Sequence, residues 1–148
     1  MMMKKKFANT REYAMQLSDK LQETETTGTN VAPYFEKLKA AIEDGTVDKM
    51  PKAEFAEISA EFDDVVEVYA AVADTLDQMK APVRLIGVHG SMQKTFRKYY
   101  EATKVMAEAL NVTDQTVDEV AFNQSEIDQD DLMEEFMKEA RRAFQTVM

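Results

Sequence analysis

The segment from Pro51 to Lys80, PKAEFAEISAEFDDVVEVYAAVADTLDQMK, decides the fold of this protein. Its large apolar side chains recur at alternating steps of three and four residues, the spacing of one face of an α-helix. The series runs over more than three heptads and consists of Phe55, Ile58, Phe62, Val65, Tyr69, Val72, Leu76 and Met79. Val66, Val68 and Ala73 widen the apolar stripe. A stripe of this width favours a helix with several neighbours in a bundle over a two-stranded coiled coil.

Proline and glycine indicate where the helices begin and end. Pro51 suits a first helical turn, with Asp48 as a candidate N-cap. Pro82 disfavours helical geometry at the residue before it, so this helix should end there or kink. A shorter helix is expected to start near Pro33 and to stop just before Gly45.

The segment after Pro82 carries the same spacing and the only histidine of the chain. Its periodic residues are Leu85, His89, Met92, Phe96, Tyr99, Thr103, Met106 and Leu110. Gly87 and Gly90 each weaken a helix by about 1 kcal/mol relative to alanine. The stable part of this helix is therefore predicted to begin near Ser91.

The N-terminal part predicts one helix followed by a loop. Its helical spacing is carried by Phe7, Thr10, Ala14, Leu17 and Leu21. Residues 1–6 are expected to be a frayed basic terminus. The polar residues 22–30 lose the apolar pattern and are predicted to form a loop.

The C-terminal part is predicted to start after a second loop at residues 111–116. Thr116 and Glu119 have the spacing of a capping box at a helix start. The polar run NQSEIDQDD, residues 123–131, then interrupts the apolar stripe. Two alternatives follow: either the helix breaks near Ser125, or polar side chains face the interior there.

Together these patterns predict an all-α fold, an antiparallel bundle of four to five helices forming one domain over residues 1–148. The distribution of charge supports the packing of these consecutive helices against one another. Residues 53–79 carry eight acids and no base, residues 80–104 a net charge of +5, and residues 105–148 a net charge of −8. A basic helix between two acidic helices lowers the Coulomb energy, although apolar burial supplies most of the stability.

The composition restricts the possible partners and compartments. The net charge of −10 argues against free nucleic acid and anionic membranes, which need concentrated positive charge. No stretch approaches the ~20 apolar residues of a membrane span. The lack of cysteine fits a reducing cytoplasm. We therefore expect a soluble, cytoplasmic protein, with an exported protein whose signal is absent from this sequence as the alternative.

The sequence contains none of the motifs that would predict an enzyme, a metal site or a cofactor. It has no Glu-x-x-His pair for a di-iron bundle and no G-x-S-x-G elbow. The acidic run starting at Asp128 does not fit a calcium loop, because Leu132 and Met133 occupy the positions of a ligand and of the glycine. Catalysis would require carboxylates to converge on His89 in a cleft, so we predict no catalytic residue, metal or cofactor.

One candidate binding site can still be named from residue types. His89 lies on an apolar face, and the polar start of the last helix could lie opposite it. The candidate ligand-binding residues are His89, Asn123, Gln124, Glu126 and Asp130. The competing interpretation is a hydrogen-bonded structural histidine and a solvated helix start capped at Ser125.

The functional hypothesis is a non-enzymatic acidic interaction protein, such as a bacterial accessory or regulatory factor. Its expected partner is another protein, with a basic surface, because charge complementarity promotes such association. The alternative is a small-ligand or metal binder that uses His89 and the acidic segment 126–134.

Overall fold

The computed structural model describes residues 9–147 and confirms an all-α antiparallel bundle. Its four helices are α1 (Thr10–Asp44), α2 (Lys52–Gln78), α3 (Ile86–Glu108) and α4 (Glu119–Val147). Each helix packs against its neighbours in sequence, and α4 also meets α1. Two short strands, β1 (Leu110–Asn111) and β2 (Thr116–Val117), pair antiparallel between α3 and α4. The predicted frayed terminus at residues 1–6 and the periodic residue Phe7 lie outside the described residues.

The core contains the complete periodic apolar series, seven residues of α2 and Met79 directly after it. All eight of its residues are at most 9% exposed. At one end of the bundle they pack around Leu17 and Phe96, and at the other around Leu38 and Phe122. The ring centroids of Phe96 and Phe136 are 5.1 Å apart, and this contact joins α3 to α4. None of the described helices is long and apolar enough to cross a membrane.

The loop predicted at residues 22–30 is wrong, because α1 is continuous from Thr10 to Asp44. The helical spacing continues through this segment, but Thr24 and Gly28 occupy two of its positions. Neither is a large apolar residue, so the pattern is lost when only apolar residues are counted. Thr24 is nevertheless 6% exposed, and its hydroxyl donates to the Lys20 carbonyl oxygen at 2.8 Å.

Helix α1 is longer than predicted because it joins the two helices expected in the N-terminal part into one. Asn9 caps its start, because the side-chain oxygen accepts hydrogen bonds from the N–H groups of Arg11 and Glu12. Pro33 lies inside the helix rather than near a helix start, and its nitrogen has no hydrogen to donate. Gly45 ends the helix as predicted, in a left-handed conformation with φ 68°.

The connections on either side of α2 differ in detail from the predictions. Asp48 lies in a short 3-10 turn, Val47–Lys49, and α2 has no side-chain cap. The helix α2 already ends at Gln78, and α3 begins at Ile86, five residues before the predicted Ser91. Burial of His89 and Met92, at 4% and 0% exposed, offsets the helix-weakening effect of the nearby glycines.

The helix α4 does not break near Ser125, so the inward-facing alternative is the correct one. Ser125 is 2% exposed, and its hydroxyl donates to the Ala102 carbonyl oxygen at 2.5 Å. The predicted capping box is wrong, because Thr116 belongs to β2. The cap is Asp118, whose carboxylate accepts from the Ala121 N–H at 3.1 Å.

The predicted loop at 111–116 is the turn of the β1–β2 hairpin, with its two end residues paired as strand. Gln115 adopts a left-handed conformation, with φ 54°. Its side-chain amide donates to the carbonyl oxygens of Val47 and Met50, at 2.9 and 2.6 Å. These bonds attach the hairpin to the connection between α1 and α2.

Candidate functional site

His89 joins three helices and is fully hydrogen-bonded. Its Nε2 lies 2.8 Å from the Leu76 carbonyl oxygen, and its Nδ1 lies 2.7 Å from the Tyr13 hydroxyl. Because a carbonyl oxygen only accepts, Nε2 carries the hydrogen and Nδ1 accepts from Tyr13. Leu76 is in the last turn of α2, where carbonyl groups lack a helical partner. His89 therefore satisfies the end of α2 while it anchors the start of α1.

The Tyr13 hydroxyl remains a donor over the whole physiological pH range. Burial raises the pKa of Tyr13 to about 12. The Tyr13 and His89 rings meet edge to face, with centroids 5.3 Å apart. This geometry fits the structural interpretation of the histidine.

The structure does not bring His89 together with the other predicted ligand residues. The start of α4 faces the second half of α3, as the bond between Ser125 and Ala102 shows. His89 lies thirteen residues before Ala102, which corresponds to roughly 20 Å along a helix. Antiparallel packing places the start of one helix beside the end of the other, so the predicted juxtaposition does not form.

The four predicted residues on α4 have separate surroundings. Asn123 is exposed, and Gln124 donates to the Asp128 carboxylate at 3.0 Å. Glu126 forms a salt bridge to Lys39 on α1. Asp130 is exposed and lines a cavity that also includes Glu126. Between residues 9 and 147, no group of three acidic or histidine side chains is placed to hold a metal ion.

One concave surface of the molecule is a groove between α1 and α4. These two helices contact each other less than the other neighbouring helix pairs do. Two cavities of about 240 and 580 Å³ open between them and share Gly28, Tyr69 and Tyr99. We call the combined depression the α1/α4 groove; it is lined by Leu21, Thr24, Gly28, Val31, Phe35, Tyr69, Tyr99, Glu126, Gln129, Asp130, Met133 and Met137.

Small residues on α1 open the groove. Gly28 and Ala32, one turn apart, line its centre and have little or no side chain to fill it. A Cβ atom added at Gly28 would lie 3.7 Å from the Tyr69 hydroxyl oxygen, an ordinary contact distance. There is therefore room for a methyl group at position 28, and the groove extends from there to Tyr69 on α2.

Two tyrosines form the polar part of the groove floor. Tyr69 is 2% exposed, and its hydroxyl makes a long bond of 3.4 Å to the Thr24 carbonyl oxygen. Burial raises the pKa of Tyr69 far above its usual range, and the neighbouring Tyr99 adds to this. Burial also raises the pKa of Tyr99, with a smaller contribution from the negative charge of Asp130. Both hydroxyls stay neutral and can donate or accept.

The rim of the groove is charged. Lys39 pairs with Glu126 across the α1–α4 gap, and its ammonium lies 5.9 Å from the centre of the Phe35 ring. Among the residues that the structure describes, Asp130 has no lysine or arginine within salt-bridge distance. The rim thus presents carboxylate charge beside an apolar and aromatic floor.

A second feature missed in the sequence is the buried carboxylate of Glu139. It is 5% exposed and accepts from the Thr95 hydroxyl at 3.1 Å. Its other oxygen, Oε1, has no hydrogen-bond partner within residues 9–147. Burial raises the pKa of Glu139, and the neighbouring Glu135 adds to the rise. Glu139 follows Phe136 by three residues and so lies on the same inward-facing side of α4. This spacing is the feature of the sequence that could have predicted its burial.

Comparison with protein-family models, with curated proteins and with solved structures gives no match. The groove is therefore interpreted from its own geometry and chemistry.

Replacing Gly28 by alanine is expected to raise the free energy of unfolding by about 1 kcal/mol, because glycine is a poor residue inside a helix. The added methyl group meets only an ordinary contact. Urea unfolding measures the change. Gly45→Ala is the matched control, and it should destabilise the protein because φ is 68° there. A lower unfolding midpoint for Gly28→Ala would show that the groove has no room at this position.

Proposed function

We propose that this chain is a non-enzymatic interaction protein and that its α1/α4 groove receives a segment of a partner protein. The observation that carries the proposal is the groove itself, an apolar depression that reaches the interior of the bundle. Large concave apolar surfaces with a few convergent polar groups are the usual locations of binding sites.

The dimensions of the groove suit a helix of the partner. Its lining extends from Ser18 to Phe35 on α1, or about 25 Å at 1.5 Å per residue. That length accommodates four to five turns of an amphipathic helix, which would place its apolar face in the groove. Met133 and Met137 line the groove, and methionine adapts its shape to varied apolar partners.

The charge of the groove favours a basic partner. Glu126 and Asp130 lie at the rim, and the whole chain carries a net charge of −10. Complementary charge accelerates association and selects among partners. The same negative charge disfavours nucleic acid as a partner. A partner in the reducing cytoplasm suits a chain that has no cysteine.

The geometry does not favour the alternative of a small ligand or metal held between His89 and residues 126–134. Both nitrogens of His89 are already hydrogen-bonded inside the bundle. The acidic segment lies beside the opposite half of α3. We therefore assign the binding role to the groove rather than to the histidine.

Fluorescence anisotropy with designed peptides tests the proposal. Two labelled amphipathic peptides of about 18 residues share one leucine stripe, and their flanks are either lysine and arginine or glutamate. We expect the basic peptide to bind at least about tenfold more tightly than the acidic one. Gly28→Trp, which fills the groove, should weaken binding of the basic peptide about tenfold or more.

Matched variants separate groove binding from general attraction to an acidic surface. Ala32→Trp is a second blocking variant, in case Gly28→Trp fails to fold. Val120→Trp adds the same side chain at a position that is 82% exposed on α4, and it should leave the affinity unchanged. Equal binding of the basic peptide to the parent protein and to both folded blocking variants would refute the groove as the partner site.

A further inference from the structure

Two residues of the α1/α4 groove already contact one cation of the protein itself. The Lys39 ammonium pairs with the Glu126 carboxylate and lies 5.9 Å from the centre of the Phe35 ring, and both of these partners line the smaller cavity. A carboxylate combined with an aromatic face is a favourable environment for an ammonium or guanidinium group. This arrangement is an example, within the protein, of a cation held by a carboxylate and an aromatic ring of the rim.

One turn further along α4, a second carboxylate lies in a cavity with aromatic rings, but no cation of the described residues pairs with it. Asp130 follows Glu126 by four residues, so both carboxylates lie on the same side of the helix. Both line the cavity of about 240 Å³ that has Tyr69 and Tyr99 in its floor. Within the part of the chain that the structure describes, no lysine or arginine pairs with Asp130.

We propose that this cavity is a receptor for one basic side chain of the partner, which extends its alkyl stem over the tyrosine floor and places its charged group between Glu126 and Asp130. The inference rests on the proposed function, and it adds the chemical identity of the anchoring residue. Lysine and arginine suit the cavity because their stems are apolar while their ends are charged.

The chemistry of the cavity distinguishes a basic anchor from an apolar one. A partner segment that covers the groove removes water from the rim. An apolar anchor would then leave the Asp130 carboxylate partly desolvated and without a counter-charge, which is unfavourable. A guanidinium group would supply both the charge and donors in a fork that matches carboxylates.

A double-mutant cycle with the basic peptide tests the inference. The central residue of the peptide's apolar stripe is made arginine or citrulline, its neutral isostere. For the parent protein, we expect the citrulline peptide to bind about tenfold more weakly than the arginine peptide. For Asp130→Asn, the two peptides should differ less than about twofold.

The control for net charge is Asp131→Asn, which removes one negative charge at the next residue. Asp131 lines a different depression, between α3 and α4. This variant should keep the full preference for arginine over citrulline. Equal affinities of the two peptides for the parent protein would overturn the basic anchor, and a loss of binding in Gly28→Trp would still uphold the groove.

A second measurement needs no peptide. N-acetyl-arginine methylamide is titrated into labelled protein, and amide chemical shifts are followed by NMR. We expect shifts concentrated at Gly28, Tyr99 and Asp130 that are absent for the citrulline analogue and in Asp130→Asn. Shifts spread evenly over the acidic surface, or no shifts at all, would refute the cation pocket even if no designed peptide binds.

Discussion

Replacing His89 by alanine lowers the free energy of unfolding by an expected ~3 kcal/mol, which combines a cavity with lost hydrogen bonds. The imidazole is 4% exposed, so the truncation leaves space inside the bundle. It also removes the acceptor of the buried Tyr13 hydroxyl and a donor to the Leu76 carbonyl oxygen. Among the described residues, only the longer bond from the Gln93 side chain, at 3.3 Å, remains at that carbonyl.

Urea unfolding of the single and double variants separates these contributions. Tyr13→Phe removes only the hydroxyl and should cost about 1–2 kcal/mol, because Nδ1 of His89 is then unpaired. In the double variant the two losses should not add, with a coupling of about 1 kcal/mol. A His89→Ala protein within 0.5 kcal/mol of the parent, a value typical of surface substitutions, would contradict the structural role.

Replacing Glu139 by glutamine is expected to stabilise the protein at neutral pH by about 1–2 kcal/mol. The parent buries a carboxylate oxygen that has no partner among the described residues, and an unsatisfied buried group costs about 1–3 kcal/mol. Glutamine keeps an oxygen for the Thr95 hydroxyl, removes the charge, and offers amide hydrogens to the neighbouring Glu135 carboxylate in place of the unpaired oxygen. Charged groups near the carboxylate are Glu135, which opposes its ionisation, and Arg142, which favours it.

The pH dependence gives the sign of this effect. The pKa of Glu139 is raised in the folded protein above its ordinary value of 4.5, so the folded state holds this proton more tightly than the unfolded chain. The stability that the proton contributes is complete below that ordinary value. It is lost as the pH rises through the raised pKa of the folded state.

Unfolding at about pH 4 and pH 7 therefore distinguishes the variant from the parent. Glu139→Gln should gain its advantage mainly at pH 7, so the difference from the parent should shrink in acid. Glu134→Gln, at an exposed position of the same helix, is the control and should show no such change. A lower stability of Glu139→Gln at pH 7 would mean that the ionised carboxylate makes a favourable contact.

The helices could be predicted wherever large apolar residues mark the buried face. All eight periodic positions are buried, seven in α2 and Met79 just after it, because large apolar residues make up most of the interior face. The prediction was wrong at Thr24 and Gly28, where the periodic positions of α1 carry a polar and a small residue. Local composition favoured a loop there, but packing against α2 and Tyr69 stabilises the helix.

The candidate site could not be predicted from residue types, because it depends on which helices face each other. His89 and Asp130 have suitable chemistry, yet antiparallel packing separates them along the bundle. Lys39 and Glu126, which do meet, are 87 residues apart in the sequence. Small or polar residues at periodic positions were the local signal of the groove, and they could be interpreted only once α1 was known to be continuous.

The weak contact between α1 and α4 has a consequence for folding thermodynamics. These are the first and last helices of the described chain, so bringing them together closes its longest loop and costs the most chain entropy. Because α1 and α4 contact each other less than the helix pairs that are consecutive in sequence, this closure gains less packing than theirs. A partner bound as proposed would complete this interface, so association and folding would be thermodynamically linked and the partner would stabilise the native bundle.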